Sequence, residues 1–327
     1  MERMLVSAAP YFAAAGVESH VFGRTDAANY SERLREAGYV VHMTSSQGMG
    51  SWRDLARTLR RGRFDVVHIH TEGKYLATVL AVVLASRGRA RIVRTVHNVF
   101  NAQGLWLFKR RLQATLADPF VHVVVAPSDD VVRHERMFGR RPRLIYNWVD
   151  DEFFDVRRRR RNREEGASPA VGLIVGNCSE VKRHELALEA VSRLGHSVAH
   201  LGIETSASQQ EAVLLDKLDQ AGVVLVRGVG DPALIMSTAS YFLMPSVWEG
   251  MGVALAEALV AGLPAVVSDS PGLQWSKGLP GVSMVPPLID EWTAAIDELD
   301  SGPAPAALPI DFSASRGVSE YLSIYAG

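Results

Sequence analysis

Residues 241–269 read YFLMPSVWEGMGVALAEALVAGLPAVVSD, and the fold depends on how this stretch is parsed. Tyr241–Met244 is a short unbroken apolar run, as in a strand buried on both faces. Pro245 and Ser246 end it, Gly250 and Gly252 bracket a loop, and the pattern predicts a helix from Met251 to Ala261. A second buried strand follows over Pro264–Asp269. Gly250 and Gly252 carry no Cβ, so the backbone there can come close to a ligand. The helix aims its free N–H groups and positive dipole end back at that loop. A strand, a glycine loop and a helix N-terminus together predict a phosphate site, held by the backbone of Gly250, Met251, Gly252 and Val253.

Two carboxylates, Glu249 and Glu257, stand in this stretch with seven residues between them. A glycosidase wants its pair about 5–10 Å apart. Eight helical steps set these two roughly 12 Å apart, a poor acid–base couple. Two hydroxyl-binding carboxylates spread along one nucleotide sugar fit the spacing better. The competing reading of Glu257 is a solvated helix residue.

A chain of 327 residues is long for one core, so two domains are expected. Its 47% hydrophobic and 22% charged content is that of an ordinary globular protein. The lone cysteine, Cys178, excludes an internal disulfide framework and a cysteine-rich zinc site, and suits a reducing cytoplasm. No Asp-x-Asp or histidine–carboxylate cluster is visible, so no metal is expected. The apolar run YLATVLAVVLAS (75–86) is too short to span a bilayer, and MERMLVSAAPYF makes a poor signal peptide. The net charge of −1 hides a division: residues 1–163 hold 28 Lys/Arg against 16 Asp/Glu, and residues 164–327 hold 7 against 20. A basic first half suits an anionic membrane surface or an anionic, lipid-linked acceptor. Its arginines are scattered and no recognition motif accompanies them, which argues against nucleic acid.

Short apolar runs alternate with helical patterns along the whole chain, as in two doubly wound parallel sheets. In such sheets ligands bind beyond the carboxyl ends of the strands, so an interdomain cleft is the expected site. The expected division is a first domain over 1–155, a basic linker over 156–169, a second domain over 170–310 and a closing helix over 311–327. Arg157–Arg161 cannot be buried together and read as a solvated linker or charged helix, with membrane contact the alternative.

The Glu249…Glu257 spacing, preceded by Pro-Ser and followed by Ala-Gly-Leu-Pro, resembles the signature of the family 4 glycosyltransferases of the GT-B fold. Further resemblance lies in DVVHIHTE with His70, TVHNVF with His97, VVVAPSDDV with Ser128, and YNWVDDEFF with Asn147 and Asp150. VGNCSEVKRHELALEAV, with Gly176, Lys182 and Arg183, is similar to the family's strand-end motif. Bacterial exopolysaccharide enzymes are the nearest kind. The resemblance implies α/β architecture with two Rossmann-like domains and metal-independent, retaining transfer from a nucleotide diphosphate sugar, UDP- or GDP-linked. The acceptor would be a lipid-linked or saccharide hydroxyl, the location cytoplasmic and peripheral to the membrane, and no other cofactor is implied. It implies that Lys182 neutralises the diphosphate, that His97 lies beside donor sugar and acceptor, that Glu249 holds the sugar, and that Glu257 holds the ribose hydroxyls. Gly176 and Arg183 complete the donor site, and the donor phosphate helps to deprotonate the acceptor.

Three departures from the family pattern are plain. Asn177 stands where arginine is usual, which removes one of two cations from the diphosphate. The glycine-rich turn after the second strand of the C-terminal domain is replaced by LGIETSASQ (201–209). The chain also opens on a helix-like segment, with Glu2 resembling the glutamate that normally follows the first strand and a Gly-Gly pair. That strand and turn, roughly 15–25 residues, are expected upstream of Met1, leaving the N-terminal domain one element short. A GT-B epimerase acting on nucleotide sugars and a non-catalytic copy binding a nucleotide or a partner enzyme remain the alternatives.

Overall fold

A computed structural model describes residues 2–24, 28–45, 49–72, 74–99, 104–161, 170–300 and 308–327. They form two compact units, Met1–Trp148 with Ser313–Gly327, and Val149–Phe312.

In the first unit helices and strands alternate: α1 (Glu2–Ala14), β1 (His20–Arg24), α2 (Ala28–Glu36), β2 (Val40–Thr44), α3 (Met49–Gly62) and β3 (Val66–Ile69). Then come α4 (Tyr75–Ser86), β4 (Arg91–Thr95), α5 (Gly104–Ala117), β5 (Val123–Ala126), α6 (Asp129–Arg136) and β6 (Arg143–Leu144). All strand pairs are parallel, but the strands divide into two sheets, β1-β2 and β3-β4-β5-β6. β6 is only two residues long, because the chain turns away after Leu144 to bury Trp148. Trp148 Nε1 donates to Met4 O at 2.9 Å, and the ring packs with Val93, Ile145 and Tyr321. Tyr321 lies on the closing helix, here α13 (Ala314–Tyr325), which shares the core of this unit rather than of the second.

The second unit opens with a helix where composition leaves linker and charged helix both open. α7 (Asp151–Arg161) carries the arginine run. Arg157 Nη1 donates to Leu259 O at 3.1 Å, and Arg160 Nη1 to Met236 O and Ala239 O at 2.8 and 2.7 Å. Leu259 and Met236 lie in the last turns of neighbouring helices and Ala239 just beyond one of them, where a cation meets carbonyls at the negative dipole end. The run is therefore docked on one side and exposed at Arg158 and Arg159 on the other. The linker expected from 156 begins inside a helix, and its remainder, 162–169, lies outside the described residues.

Next come β7 (Val171–Val175), α8 (His184–Leu194), β8 (Ser197–Leu201), α9 (Gln209–Gln220), β9 (Val224–Gly228) and α10 (Pro232–Met236). They are followed by β10 (Tyr241–Met244), α11 (Val253–Ala261), β11 (Ala265–Ser268), β12 (Val282–Val285) and α12 (Ile289–Asp300). One parallel six-stranded sheet runs in the order β12-β11-β10-β7-β8-β9. The order reverses between β10 and β7, so the loops after those two strands lie side by side at their carboxyl ends. Ile174, Leu188, Val191, Leu215, Tyr241 and Trp292 belong to a single buried cluster on this sheet.

Candidate active site

Every residue of β10 is buried, and the strand delivers the chain to the loop 245–252. Gly252 has φ +70°, in the left-handed region open to glycine, and occupies the N-cap position of α11. A Cβ there would come within 2.7 Å of the Leu273 side chain. The helix thus begins at Val253, two residues later than the apolar pattern predicts. No side chain caps it, so its first N–H groups face the loop without a side-chain acceptor. The loop is held by its backbone: Val247 N donates to Val181 O at 2.8 Å, Glu249 N to Pro271 O at 2.9 Å, and Trp275 Nε1 to Met251 O at 2.6 Å.

The loop after β7 brings Lys182 to this place. Lys182 Nζ donates to Glu249 Oε1 at 2.5 Å, and Ser246 Oγ donates to the same oxygen at 2.7 Å. Both charges are partly buried, with 26% and 12% of their side-chain surface exposed, so the pair is more weakly screened than a surface pair. Arg183, next along, takes φ +50° at the N-cap position of α8, a left-handed conformation its neighbour does not share. Glu257 lies on α11 and is buried. Gly250, Met251 and Gly252 are buried as well, and Val253 is half-buried. Lys182, Glu249 and the start of α11 are thus assembled in one unit.

The departures from the family pattern also find their places. Asn177 Oδ1 accepts from Ile203 N at 3.0 Å, tying the loop after β7 to the loop after β8. At Gly202 a Cβ would stand 1.9 Å from Gly176 O. The absence of a side chain at Gly202 therefore lets the two loops meet backbone to backbone. Its sequence signal was the lone glycine in LGIETSASQ.

His97 belongs to the other unit, just past β4. Its Nε2 stands 2.9 Å from His70 Nδ1, and its backbone N–H donates to Glu72 Oε1 at 2.8 Å. Glu72 Oε2 also takes Arg94 Nη2 at 3.3 Å, and the buried Arg94 guanidinium lies over the Tyr75 ring at 3.6 Å. Glu72 is the residue that sequence reasoning overlooked; a carboxylate two positions after a strand-end histidine was its signal. His68 is structural, bonded to Tyr325 Oη at 2.7 Å and Thr95 Oγ1 at 2.8 Å. Burial, first among the causes, pushes His97 down to about 4 and His68 to about 3, and holds His70 well below the ordinary histidine range. All three are neutral near pH 7, so His97 offers a hydrogen bond and not a positive charge. Ser128 caps α6 by accepting from Val131 N, and Asp150 Oδ1 accepts from Glu152 N, both local roles.

A histidine–carboxylate cluster, absent from any short window of the sequence, is built by the fold. Cys178, His184, His200 and Glu211 are all buried and converge within the second unit.

Residues 1–153 match the profile of Glycosyltransferase Family 4, and residues 169–301 that of Glycosyl transferases group 1. Bacillus subtilis putative glycosyltransferase EpsF is 27% identical over 280 residues, covering 76% of this chain and 70% of its own. Escherichia coli O-antigen biosynthesis glycosyltransferase WclY is 25% identical over 242 residues, covering 67% and 64%. The matched part is thus about two thirds of those relatives' length. Among solved structures, a glycosyltransferase from Rickettsia africae superposes with a TM-score of 0.77 at 15% identity, covering 99% of this chain and 93% of that one. Anabaena HepE, solved in complex with UDP and glucose, superposes at 0.73 and 17%, covering 99% and 90%. The motifs around Glu249 and Lys182, the parallel sheets and these matches agree: the chain is a glycosyltransferase of the GT-B fold, its first part matching Glycosyltransferase Family 4 and its second Glycosyl transferases group 1.

Proposed function

We propose that this glycosyltransferase, which acts on nucleotide sugars in polysaccharide biosynthesis, moves a sugar from a UDP- or GDP-linked donor to a hydroxyl with retention of configuration. The observation that carries the reading is the Lys182–Glu249 pair set against the uncapped start of α11. A diphosphate is the ligand that answers both features. Its charge suits the helix N-terminus and the lysine, where the leaving group gathers negative charge. Binding draws Lys182 from Glu249 to phosphate and leaves the carboxylate to accept sugar hydroxyls. Glu257, further along α11, is assigned the ribose hydroxyls, and Gly176 with Arg183 the rim of the phosphate site. Asn177 is engaged with the Ile203 amide, so Lys182 carries most of the cationic work. His97, neutral and hydrogen-bonded, is assigned to the sugar and acceptor hydroxyls, and the donor phosphate takes the acceptor proton. In this reading the donor is the only co-substrate, and catalysis uses no metal.

The acceptor is proposed to be lipid-linked or a growing saccharide, met at the cytoplasmic face of a membrane. α5 supports this: Leu105, Phe108, Leu112 and Leu116 fall on one exposed face, with Lys109 and Arg111 exposed on the same helix. No helix among the described residues is long and apolar enough to cross a membrane. Binding to anionic vesicles should weaken as salt shortens the Debye length to about 8 Å.

The donor assignment is tested by calorimetry with UDP and GDP. Lys182→Ala and Glu257→Ala each remove a charge-assisted contact of about 1.5–3 kcal/mol, so nucleotide affinity should fall roughly 10- to 100-fold. Unchanged affinity in both variants would refute the site.

A further inference from the structure

We infer that Cys178, His184, His200 and Glu211 form a closed, tetrahedral binding site for a zinc ion, with a structural role. The four residues come from four different places. Cys178 is in the loop after β7, His184 opens α8, His200 lies on β8 in register with Ile174, and Glu211 lies in the first turn of α9. Their exposures are 1%, 2%, 0% and 0%.

One ligand atom of each faces the others. Cys178 Sγ is 3.6 Å from His200 Nε2, which is 3.1 Å from His184 Nδ1. His184 Nδ1 is 2.9 Å from Glu211 Oε1, and His200 Nε2 is 4.0 Å from that oxygen. All four atoms lie within 4.8 Å of one another. Zinc bonds of about 2.0–2.3 Å in a tetrahedron give ligand–ligand edges of roughly 3.3–3.7 Å. The four measured edges straddle that range.

Hydrogen bonding serves this group thinly. An imidazole nitrogen has one in-plane position, filled by a proton or by a lone pair. His184 Nδ1 faces both His200 Nε2 and Glu211 Oε1, so a single proton would have to be shared between the two. Glu211 is fully buried, and its carboxylate is approached only by the other members of the cluster, His184 Nδ1 standing 2.9 Å from Oε1. A buried carboxylate served only by a thiol and two imidazoles is costly. A dication removes the conflict. It takes four lone pairs, and with one thiolate, one carboxylate and two neutral imidazoles the site has zero net charge, as full burial requires. Mixed sulfur, nitrogen and oxygen donors in fourfold coordination suit zinc rather than magnesium or calcium. With four protein ligands no position remains open for substrate, so the ion is structural. It would fasten the 176–183 loop, which carries Lys182, to β8 and α9.

The test needs no sugar transfer, so it stands or falls independently of the proposed donor reaction. The full chain is stripped with chelator, dialysed and titrated with zinc alone and with Co²⁺ alone. Expected are one metal per chain, a rise in Tm of about 5–10 °C with excess zinc, and a Co²⁺ spectrum with tetrahedral bands and a thiolate-to-cobalt charge-transfer band. Cys178→Ser should abolish the charge-transfer band, and Glu211→Gln should weaken zinc at least 10-fold. Sub-stoichiometric uptake with an unmoved Tm overturns the proposal, and so does equal metal binding by both variants. Should the variants fail to fold, the Co²⁺ spectrum of the unsubstituted chain decides, and a bound cobalt without the thiolate band overturns it.

Discussion

The two units are built from the same alternation of strand and helix, yet they close their sheets differently. In the second unit six strands form one sheet, and β11, β10, β7 and β8 are each flanked on both sides. In the first unit β1 pairs with β2 and β3 with β4, and among the described residues neither β1 nor β3 has a second neighbour. The cores follow the sheets. Trp292, Tyr241 and Leu188 belong to one extended buried cluster of the second unit, whereas among the described residues the first unit includes small clusters such as Ala9, Leu34 and Tyr39. A cluster backed by a continuous sheet cannot relax into a deleted side chain's space, and a small satellite can. Stability should therefore be unequal between halves that look alike in sequence.

Core deletions should show the difference most. Trp292→Ala, in the continuous core, is expected to cost about 3–5 kcal/mol, and Leu34→Ala, in the satellite, about 2 kcal/mol. Denaturant unfolding should resolve two transitions, with the first unit melting earlier. Equal losses in a single cooperative transition would break the comparison.

Acid sharpens the same contrast. The folded state holds His97 neutral down to about 4 against an ordinary 6.5, so it binds fewer protons than the unfolded chain between those values. That stability is complete above about pH 6.5 and is lost as pH falls toward 4, on the order of 3 kcal/mol for His97 alone. His68, pushed to about 3, acts in the same direction. The transition of the first unit should weaken accordingly between pH 7 and 4.5, and His97→Gln should flatten the slope. A transition indifferent to pH over that interval would remove the buried-histidine account.

The smallest effect is local opening. Amides of β1 should exchange with solvent at least about tenfold faster than those of β10, a difference of about 1.4 kcal/mol. Comparable protection by hydrogen-exchange mass spectrometry would mean that the edge of β1 is covered in solution.

Much of this was legible in the residues. The boundaries of β10 and β11, the helix between them and the paired Glu249 and Lys182 motifs follow from local apolar runs, glycines and charge. Residues near in sequence encode these features by themselves. The charged-helix reading of Arg157–Arg161 holds for α7, but composition sees five arginines and not the carbonyls of Leu259, Met236 and Ala239 that receive two of them. The start of α11 was misplaced by two residues because Gly252 uses a left-handed conformation to enter the helix.

By itself the sequence determined the alternation, the glycosyltransferase resemblance and the glycine-bracketed loop before α11, since each rests on contacts within a few residues of chain. Tertiary structure alone decided the split sheet of the first unit, the return of α13 to that unit, and the meeting of Cys178, His184, His200 and Glu211. The physical reason is register. The pairing of β7 with β8 sets Ile174 beside His200, and the crossovers through α8 and α9 then bring a loop cysteine, a histidine and a glutamate to the same few ångströms. No single segment of the chain carries that information.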